Sequence, residues 1–380
     1  MWNMKNKVMS NNWFSGTAVV AAVGATAMGQ CEPTPLGVYD TPDHALDVFV
    51  SGTTAFVADY YSGLQIIDVT DPTQPDLLGS YNTPGWAYGV FVSGTTAFVA
   101  DDYLGLQIID VTDPTESALL GSCNTPSFAL DVFVSGNTVF VADYNGGLQI
   151  IDVTDPTQPS LLGSYDTPGT AWGVFVSGTT AFVADGFSGL YIIDVADPSQ
   201  PTLLSSYDTP DEARGVFISN STAFVTDSRS GLQIIDVTDP TQPVLLGSYN
   251  TPDWAHSIFV SDTMAFVADG LSGLQIIDVT DPSQPTLLGS YNTSGSAWGV
   301  VVSDITAFIA DDTSGLQTID ISGCLPCPPD LTDDGVVNTL DFLTFLGAWS
   351  FDDPLADWNH DGTVNTQDFL SYLGDWAAGC

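Results

Sequence analysis

Between about Leu36 and Ser322 the chain alternates short apolar runs with turn residues on a fixed beat of 42 residues. One copy shows the pattern: Leu77 to Tyr81, Gly89 to Val92, Ala97 to Ala100 and Leu106 to Val111 are apolar runs divided by Gly, Asn, Asp, Pro, Ser and Thr. Each run has the length and the Val, Ile, Leu and Phe content of a strand, and its borders are turn residues. Gly63, Gly105, Gly147, Gly189, Gly231, Gly273 and Gly315 carry the register through seven copies without an insertion. The string Gly-Leu-Gln-Ile-Ile-Asp-Val-Thr-Asp-Pro stands unchanged in five of them. A constant step makes each copy meet the next in the same geometry, and four strands per copy is the content of a propeller blade.

The runs do not alternate cleanly between polar and apolar, as Val90-Phe91-Val92 and Ile108-Ile109 show. Both faces of each small sheet must therefore be covered, which blades packed face to face around an axis achieve. The turn between the second and third runs places Gly52, Gly94, Gly136, Gly178, Asn220, Asp262 and Asp304 at one position. Those residue types best tolerate a positive φ, as a tight hairpin requires. Frequent Gly, Asp-Pro and β-branched residues count against a solenoid of helix pairs. The predicted fold is an all-β seven-bladed propeller of four-stranded blades, with repeats starting near 35, 77, 119, 161, 203, 245 and 287. If Gly-Val-Phe-Val is the innermost strand, Leu36 to Tyr39 has no partner in its own copy. It then completes the last blade beside Gly315 to Asp320, so that the chain ends close the ring and leave no free edge.

The repeat resembles the LVIVD family, whose signature strand Leu-x-Ile-Ile-Asp-Val is present as Leu64-Gln65-Ile66-Ile67-Asp68-Val69. The resemblance covers all seven copies. It implies a surface or secreted β-propeller and implies no particular activity.

Residues 1–29 read as an export signal: Lys5 and Lys7 precede an apolar, small-residue stretch from Thr17 to Ala27, with Ala25-Thr26-Ala27 or Ala27-Met28-Gly29 as the cleavage site. The stretch is short and rich in Gly for a membrane span, and Gln30 before Cys31 does not suit a lipoprotein signal. No direct membrane span is expected after cleavage, and the expected location is extracellular or at the cell surface. The net charge is -42, and without the signal only Arg214 and Arg229 stand against 46 acidic residues. Such a surface repels nucleic acid and anionic membrane. Most of the acidity follows from Asp at fixed turn and strand positions of the repeat, where it serves turns and solubility. In an exported chain the cysteines suggest two bridges. Cys327–Cys380 would clamp the C-terminal segment, and Cys31–Cys324 would flank the strands that meet at ring closure. Cys123 replaces the tyrosine of Tyr81 and Tyr165 and reads as an unpaired buried residue. Zinc is a poor alternative, because Cys324 and Cys327 lack a second pair.

After a Cys/Pro linker at 323–329 the repeat gives way to a second pattern over 330–380. Asp330, Thr332, Asp334, Asn338 and Asp341 place oxygen side chains at positions 1, 3, 5, 9 and 12 of a loop, with Gly335 at 6 and Val336 lending its carbonyl at 7. Asp357, Asn359, Asp361, Thr363, Asn365 and Asp368 repeat the arrangement, with Gly362 at the turn. This is the spacing of a calcium loop, in which oxygens surround a hard cation, so two calcium ions are expected. An apolar helical pattern follows each loop, at Phe342, Leu343, Phe345 and Leu346 and at Phe369, Leu370, Tyr372 and Leu373.

Both loops end in Asp where an ordinary EF-hand has Glu, and no helix is evident before either. The segment resembles a dockerin, and Cys327 with the terminal Gly379-Cys380 resembles the GC-type dockerin-like subgroup. The resemblance implies calcium-dependent docking onto a surface-borne, cohesin-like receptor. It also implies partner contacts at loop positions ten and eleven, here Thr339 with Leu340 and Thr366 with Gln367. A calcium-stapled stability cap is the plainer alternative.

The copies differ from one another mainly in two places. Before the innermost strand stand His44/Leu46, Trp86/Tyr88, Phe128/Leu130, Thr170/Trp172, Glu212/Arg214, Trp254/His256 and Ser296/Trp298. After the second strand stand Tyr60-Tyr61, Asp102-Tyr103, Tyr144-Asn145, Gly186-Phe187, Ser228-Arg229, Gly270-Leu271 and Asp312-Thr313. In an up-and-down blade both connections emerge on one face. Trp86, Tyr88, Phe128, Trp172, Arg214, Trp254, His256 and Trp298 are therefore candidates for a rim that binds carbohydrate or peptide. Neutral drift at exposed loops, or packing between blades, is the bland alternative. Asp59, Asp101, Asp143, Asp185, Asp227, Asp269 and Asp311 are expected to bond amides in their own loops, and Asp68 and its equivalents to act likewise. Residues repeated seven times argue for structure over catalysis. The leading expectation is an exported, non-catalytic binding or scaffold protein anchored by its tail. The alternative is a secreted hydrolase or lyase acting on polysaccharide at the channel mouth, with Glu212, Arg214 and His256 facing Asp47 and Asp131.

Overall fold

The computed structural model describes residues 31–325, 331–332, 337–351, 353–358 and 363–378. The segment expected to be an export signal, Cys327, Cys380, Asp330, Asp334, Val336, Asn359 and Asp361 lie outside the described residues. Seven antiparallel four-stranded sheets succeed one another as blades. Blade 1 runs outward from Asp47–Ser51 through Thr54–Ala58 and Leu64–Asp68 to Asp76–Tyr81. The innermost strands neighbour each other around the axis.

The core lies between the blades, as the absence of alternation predicts. Phe56, Leu64 and Ile66 of blade 1 pack on Val90, Val92, Ala97, Val99 and Ile109 of blade 2. The same interface recurs around the ring and includes the seam, where Phe308 and Leu316 of blade 7 meet Val48, Val57 and Ile67 of blade 1. Inside, Phe49, Phe91, Phe133, Phe175, Phe217 and Phe259 touch in sequence at centroid distances of 4.8 to 5.4 Å. The result is an apolar belt part-way down the channel.

Thr34–Tyr39 pairs antiparallel with Leu316–Asp320, so the N-terminal strand completes blade 7 as expected. The hairpin position has a positive φ in every copy, from Asp262 at 50° to Gly94 at 61°.

At the end of the ring that carries the Asp-Pro turns, each turn rests on the outer strand of the preceding blade. A Cβ on Gly79 would lie 1.9 Å from the Pro114 carbonyl oxygen, and one on Gly247 2.3 Å from that of Pro282. Blade 7 has no Asp-Pro turn to cover Gly289 of blade 6. Cys31 takes its place: its amide donates to the Leu288 carbonyl at 2.8 Å, and it is bonded to Cys324 as the spacing suggests.

In the tail, helices Thr339–Ser350 and Thr366–Ala378 enclose a small core of Phe345, Ala356 and Tyr372. Phe345 and Tyr372 stack at 4.0 Å. Trp349 of the first helix donates to the Asn365 carbonyl at 3.1 Å, and Trp376 of the second to the Asn338 carbonyl at 2.9 Å. The two half-repeats thus brace each other reciprocally.

Candidate functional site

Opposite the Asp-Pro end, the loop after each second strand pairs with the entry to the next blade. Tyr60 bridges to Ala87, Tyr144 to Ala171, Gly186 to Ala213, and Asp312 to Ala45 across the seam. The two variable sets therefore form one rim, as the topology predicts, but each loop meets its partner one blade further on. The first loop residue is left-handed throughout, with φ of 42° at Tyr60 and Tyr144, 55° at Gly186 and 51° at Gly270. Glycine takes this conformation freely, whereas a residue with a Cβ loses roughly 1 to 2 kcal/mol. Tyr60 and Tyr144 bear this strain, as do Asp102, Ser228 and Asp312, where two sister copies carry glycine, and such strain collects at functional sites.

The side chains divide the rim into two unlike arcs. Around blades 1 and 2, Tyr60 lies 4.4 Å from Tyr61, 5.1 Å from Trp86, 5.6 Å from Tyr88 and 5.8 Å from His44. Tyr61 and Tyr103 project at 56% and 52% exposure. His44 also bonds Asp312 of blade 7 through Nδ1, and that bond raises its pKa. Phe128 and Trp172 flank Tyr144 at 5.6 and 5.8 Å and continue the arc.

Across the mouth, Arg214 is stacked over Trp172 at 4.7 Å and over Trp254 at 5.2 Å, while Arg229 stacks over Trp254 at 5.0 Å. Arg214 donates to Glu212 at 2.8 and 3.2 Å, to Ser228 at 3.1 Å, and to His256 Nδ1 at 3.1 Å. Trp172 Nε1 donates to the other oxygen of Glu212 at 3.0 Å. A guanidinium only donates, so His256 accepts at Nδ1 and keeps its proton on Nε2. Burial, with Arg214 beside it, lowers the His256 pKa to about 3, and its ring stacks on Trp298 at 4.1 Å.

Between the arcs is a cavity of about 120 Å³ lined by Tyr88, Trp172, Arg214, His256 and Trp298, with Asp47 and Asp131 among the deeper residues. Asp47 accepts from the Val90 amide at 2.9 Å and Asp131 from the Val174 amide at 2.8 Å, each on the next innermost strand. Both carboxyls are deep in the ring yet keep an edge on the channel. Burial raises Asp47 to about 7, with Asp131 adding repulsion, and burial raises Asp131 to about 6.

Five of the eight predicted rim residues thus line the mouth, and Trp86, Phe128 and Trp254 surround it. Tyr60 and Tyr144, which the sequence places in the variable loops but not among the eight rim candidates, centre the aromatic arc. The signal was their place at a position where two other copies have glycine. The repeated Asp at the end of each second strand corrects another expectation, since its side chain does not serve its own loop in the way predicted. Asp59 Oδ2 accepts from the Asp43 amide at 3.2 Å and Asp101 Oδ2 from the Gly85 amide at 2.9 Å, tying down the entry to the innermost strand. Asp68 does stay local, accepting from the Thr70 amide at 2.8 Å and hydroxyl at 2.6 Å. Cys123 is free but only half-buried, since its outer-strand position leaves one side open.

In the tail, Asp341 is fully buried and accepts from the Thr332 amide and hydroxyl at 2.9 and 2.7 Å and from the Asn338 amide at 2.8 Å. Asp368, also fully buried, accepts from the Asn365 amide at 2.7 Å. In the first loop positions three and nine are thereby tied to the carboxylate at twelve, and in the second position nine is tied to twelve; Thr, Asn and Asp are oxygen-bearing residue types of the kind a hard cation takes. Thr339, Leu340, Thr366 and Gln367 are all exposed on the first turns of the helices.

A family model described as LVIVD repeat matches residues 42–83, 84–125, 128–167, 168–209, 211–251, 254–293 and 294–324. No curated protein matches the chain. Among solved structures, the fold is similar to the WD40 beta propeller domain of Doa1, with a TM-score of 0.64 at 9% identity over 76% of this chain and 97% of that one. It is also similar to the computationally designed Ika8 protein, with a TM-score of 0.58 at 9% identity over 77% of this chain and 100% of that one. At such identity the likeness concerns the fold alone.

Proposed function

The chain belongs to the LVIVD repeat family, and from that premise we propose that it is an exported, non-catalytic binding or scaffold protein. The propeller mouth presents a face for a peptide or carbohydrate, and the tail, dockerin-like and calcium-dependent, holds the molecule to a cohesin-like or other receptor at the cell surface. The observation that carries this reading is the collection of the copies' differences on one rim, with strained Tyr60 and Tyr144 at its aromatic centre. Further support comes from the groups a catalytic site would use. The Glu212 carboxylate is committed to Arg214 and Trp172, and the His256 ring is held neutral against Arg214. In the tail, Thr332, Asn338 and Asp341, and Asp357, Thr363, Asn365 and Asp368, would hold calcium together with the loop residues outside the described set. Bound calcium would neutralise the converging carboxylates.

The full chain probed on glycan and peptide arrays tests the mouth. Binding by the wild type should be lost in Tyr61→Ser/Trp86→Ser, and binding indifferent to that pair removes the rim from the proposal. Chelation tests the tail: helical circular dichroism and receptor retention should fall while the β signal of the ring persists. Retention insensitive to chelator removes the docking role.

A further inference from the structure

The floor of the mouth is a place where the copies differ that rim exposure does not explain. Asp47 and Asp131 occupy the first position of the innermost strand in blades 1 and 3, where the other copies carry Gly89, Gly173, Gly215, Ser257 and Gly299. Five blades are built without a carboxylate there, so the scaffold does not require one. Side chains two apart on a strand share a face. Asp47 therefore stands directly above Phe49, and Asp131 above Phe133, and the phenylalanine belt offers the carboxylates no polar contact from below. Among the described residues neither Asp makes an ion pair. The walls above them are the aromatic rings of Tyr88, Trp172 and Trp298.

Arg214 also lines the cavity, but its charge is met by Glu212 and its bonded donors turn toward Glu212, Ser228 and His256. Two acidic groups under aromatic walls, with no protein cation of their own, complement a cation on an apolar stem. The carboxylates supply charge and hydrogen-bond acceptors, and the rings attract the cation through their faces. A cavity of about 120 Å³ between these walls admits a slender alkylammonium. A net charge of -42 steers basic partners toward the molecule.

We propose that the floor of the mouth is a subsite for a primary ammonium, the side chain of a lysine in a basic peptide, paired with Asp47 and Asp131 and walled by Tyr88, Trp172 and Trp298. This rests on the rim being a binding face and names a peptide as its occupant. Once ionised by an incoming ammonium, the two carboxylates exchange mutual repulsion for pairing. The amide bonds from Val90 and Val174 keep them aimed.

The test is fluorescence anisotropy of a labelled glycine-flanked tetralysine peptide on the full chain, with the Nε-acetylated peptide and a chitosan tetramer as parallel probes. Asp47→Ser/Asp131→Ser copies the residue type at Ser257 and should weaken binding about tenfold or more. Acetylation should do the same on the wild type, an arm that no folding defect can mimic. Asp68→Asn/Asp110→Asn removes equal charge from the opposite end and should change affinity by no more than about twofold. Equal losses in both double variants, undiminished binding of the acetylated peptide, or a preference for the chitosan tetramer would each overturn the subsite. Rim-dependent binding of a neutral glycan without the lysine peptide overturns the subsite and leaves the rim standing. Failure of every probe together with silent arrays overturns both.

Discussion

The two ends of the ring carry aspartates of opposite character. At the Asp-Pro end, Asp71 and Asp113 are exposed and Asp68 and Asp110 partly so; all four recur from copy to copy and accept from a Thr two residues on, bonds that hold their carboxyls below the ordinary range. At the mouth end, burial pushes Asp47 up to about 7 and Asp131 to about 6, and most copies have no acid at that position. The difference separates scaffold from site. At the Asp-Pro end a carboxylate finds its donors within its own turn, whereas Asp47 and Asp131 take amide donors from the next innermost strand and face a channel.

The contrast implies that damage at one end should cost stability and at the other should cost binding. The largest stability effect is expected for Gly79→Val, whose side chain would enter the Pro114 backbone and destabilise the ring by about 3 kcal/mol or more. Thermal unfolding would show it, with ligand binding at the mouth intact below the transition. Next is Cys31→Ser, which opens the Cys31–Cys324 bridge and should cost about 2 kcal/mol or more. An unchanged denaturation midpoint would mean that the segment covering Gly289 is held by its strand pairing alone.

Titration should separate the ends by sign. Asp47 and Asp131 bind protons more tightly in the folded ring than in the unfolded chain, so their contribution is complete below an ordinary carboxyl pKa and fades as pH rises through 6 and 7. Asp59 and Asp143, raised to about 6, act in the same direction. Asp68 and Asp71 contribute above the ordinary value and lose their contribution as pH falls through their lowered pKa values. Chemical denaturation from about pH 5 to about pH 8 should show a decline that Asp47→Ser/Asp131→Ser flattens in part, while Asp68→Asn alters only the acid limb. The smallest effect is expected for Tyr144→Gly. Relief of its positive φ offsets the lost ring contacts, leaving stability within about 1 kcal/mol. A larger loss would make Tyr144 part of the scaffold.

The blade itself was legible because its contacts are local in the repeat. The invariant glycines, the φ-tolerant hairpin position and the orphaned first strand gave the register, the turns and the closure. What lay between copies was harder to read. The pairing of Tyr60 with Ala87 joins a loop to the following blade, an offset set by the rotation of blades about the axis, which a one-dimensional period does not encode. The reach of Asp59 to the Asp43 amide was missed because the two lie 16 residues apart on connections that meet only in the folded blade. The channel acids could be seen as departures from glycine, but their depth above the phenylalanine belt follows from the strands lying side by side.

The bridge at the seam also decides how the molecule would bear a pull. Tension applied to the chain beyond Leu325 would, without it, peel Leu316–Asp320 from blade 7 one rung at a time. With Cys324 joined to Cys31, the load divides. Part enters the N-terminal strand along its length, and part reaches the outer strand of blade 6 through Cys31. Two neighbouring blades are then loaded in shear, and the ring resists as a hoop with a riveted joint.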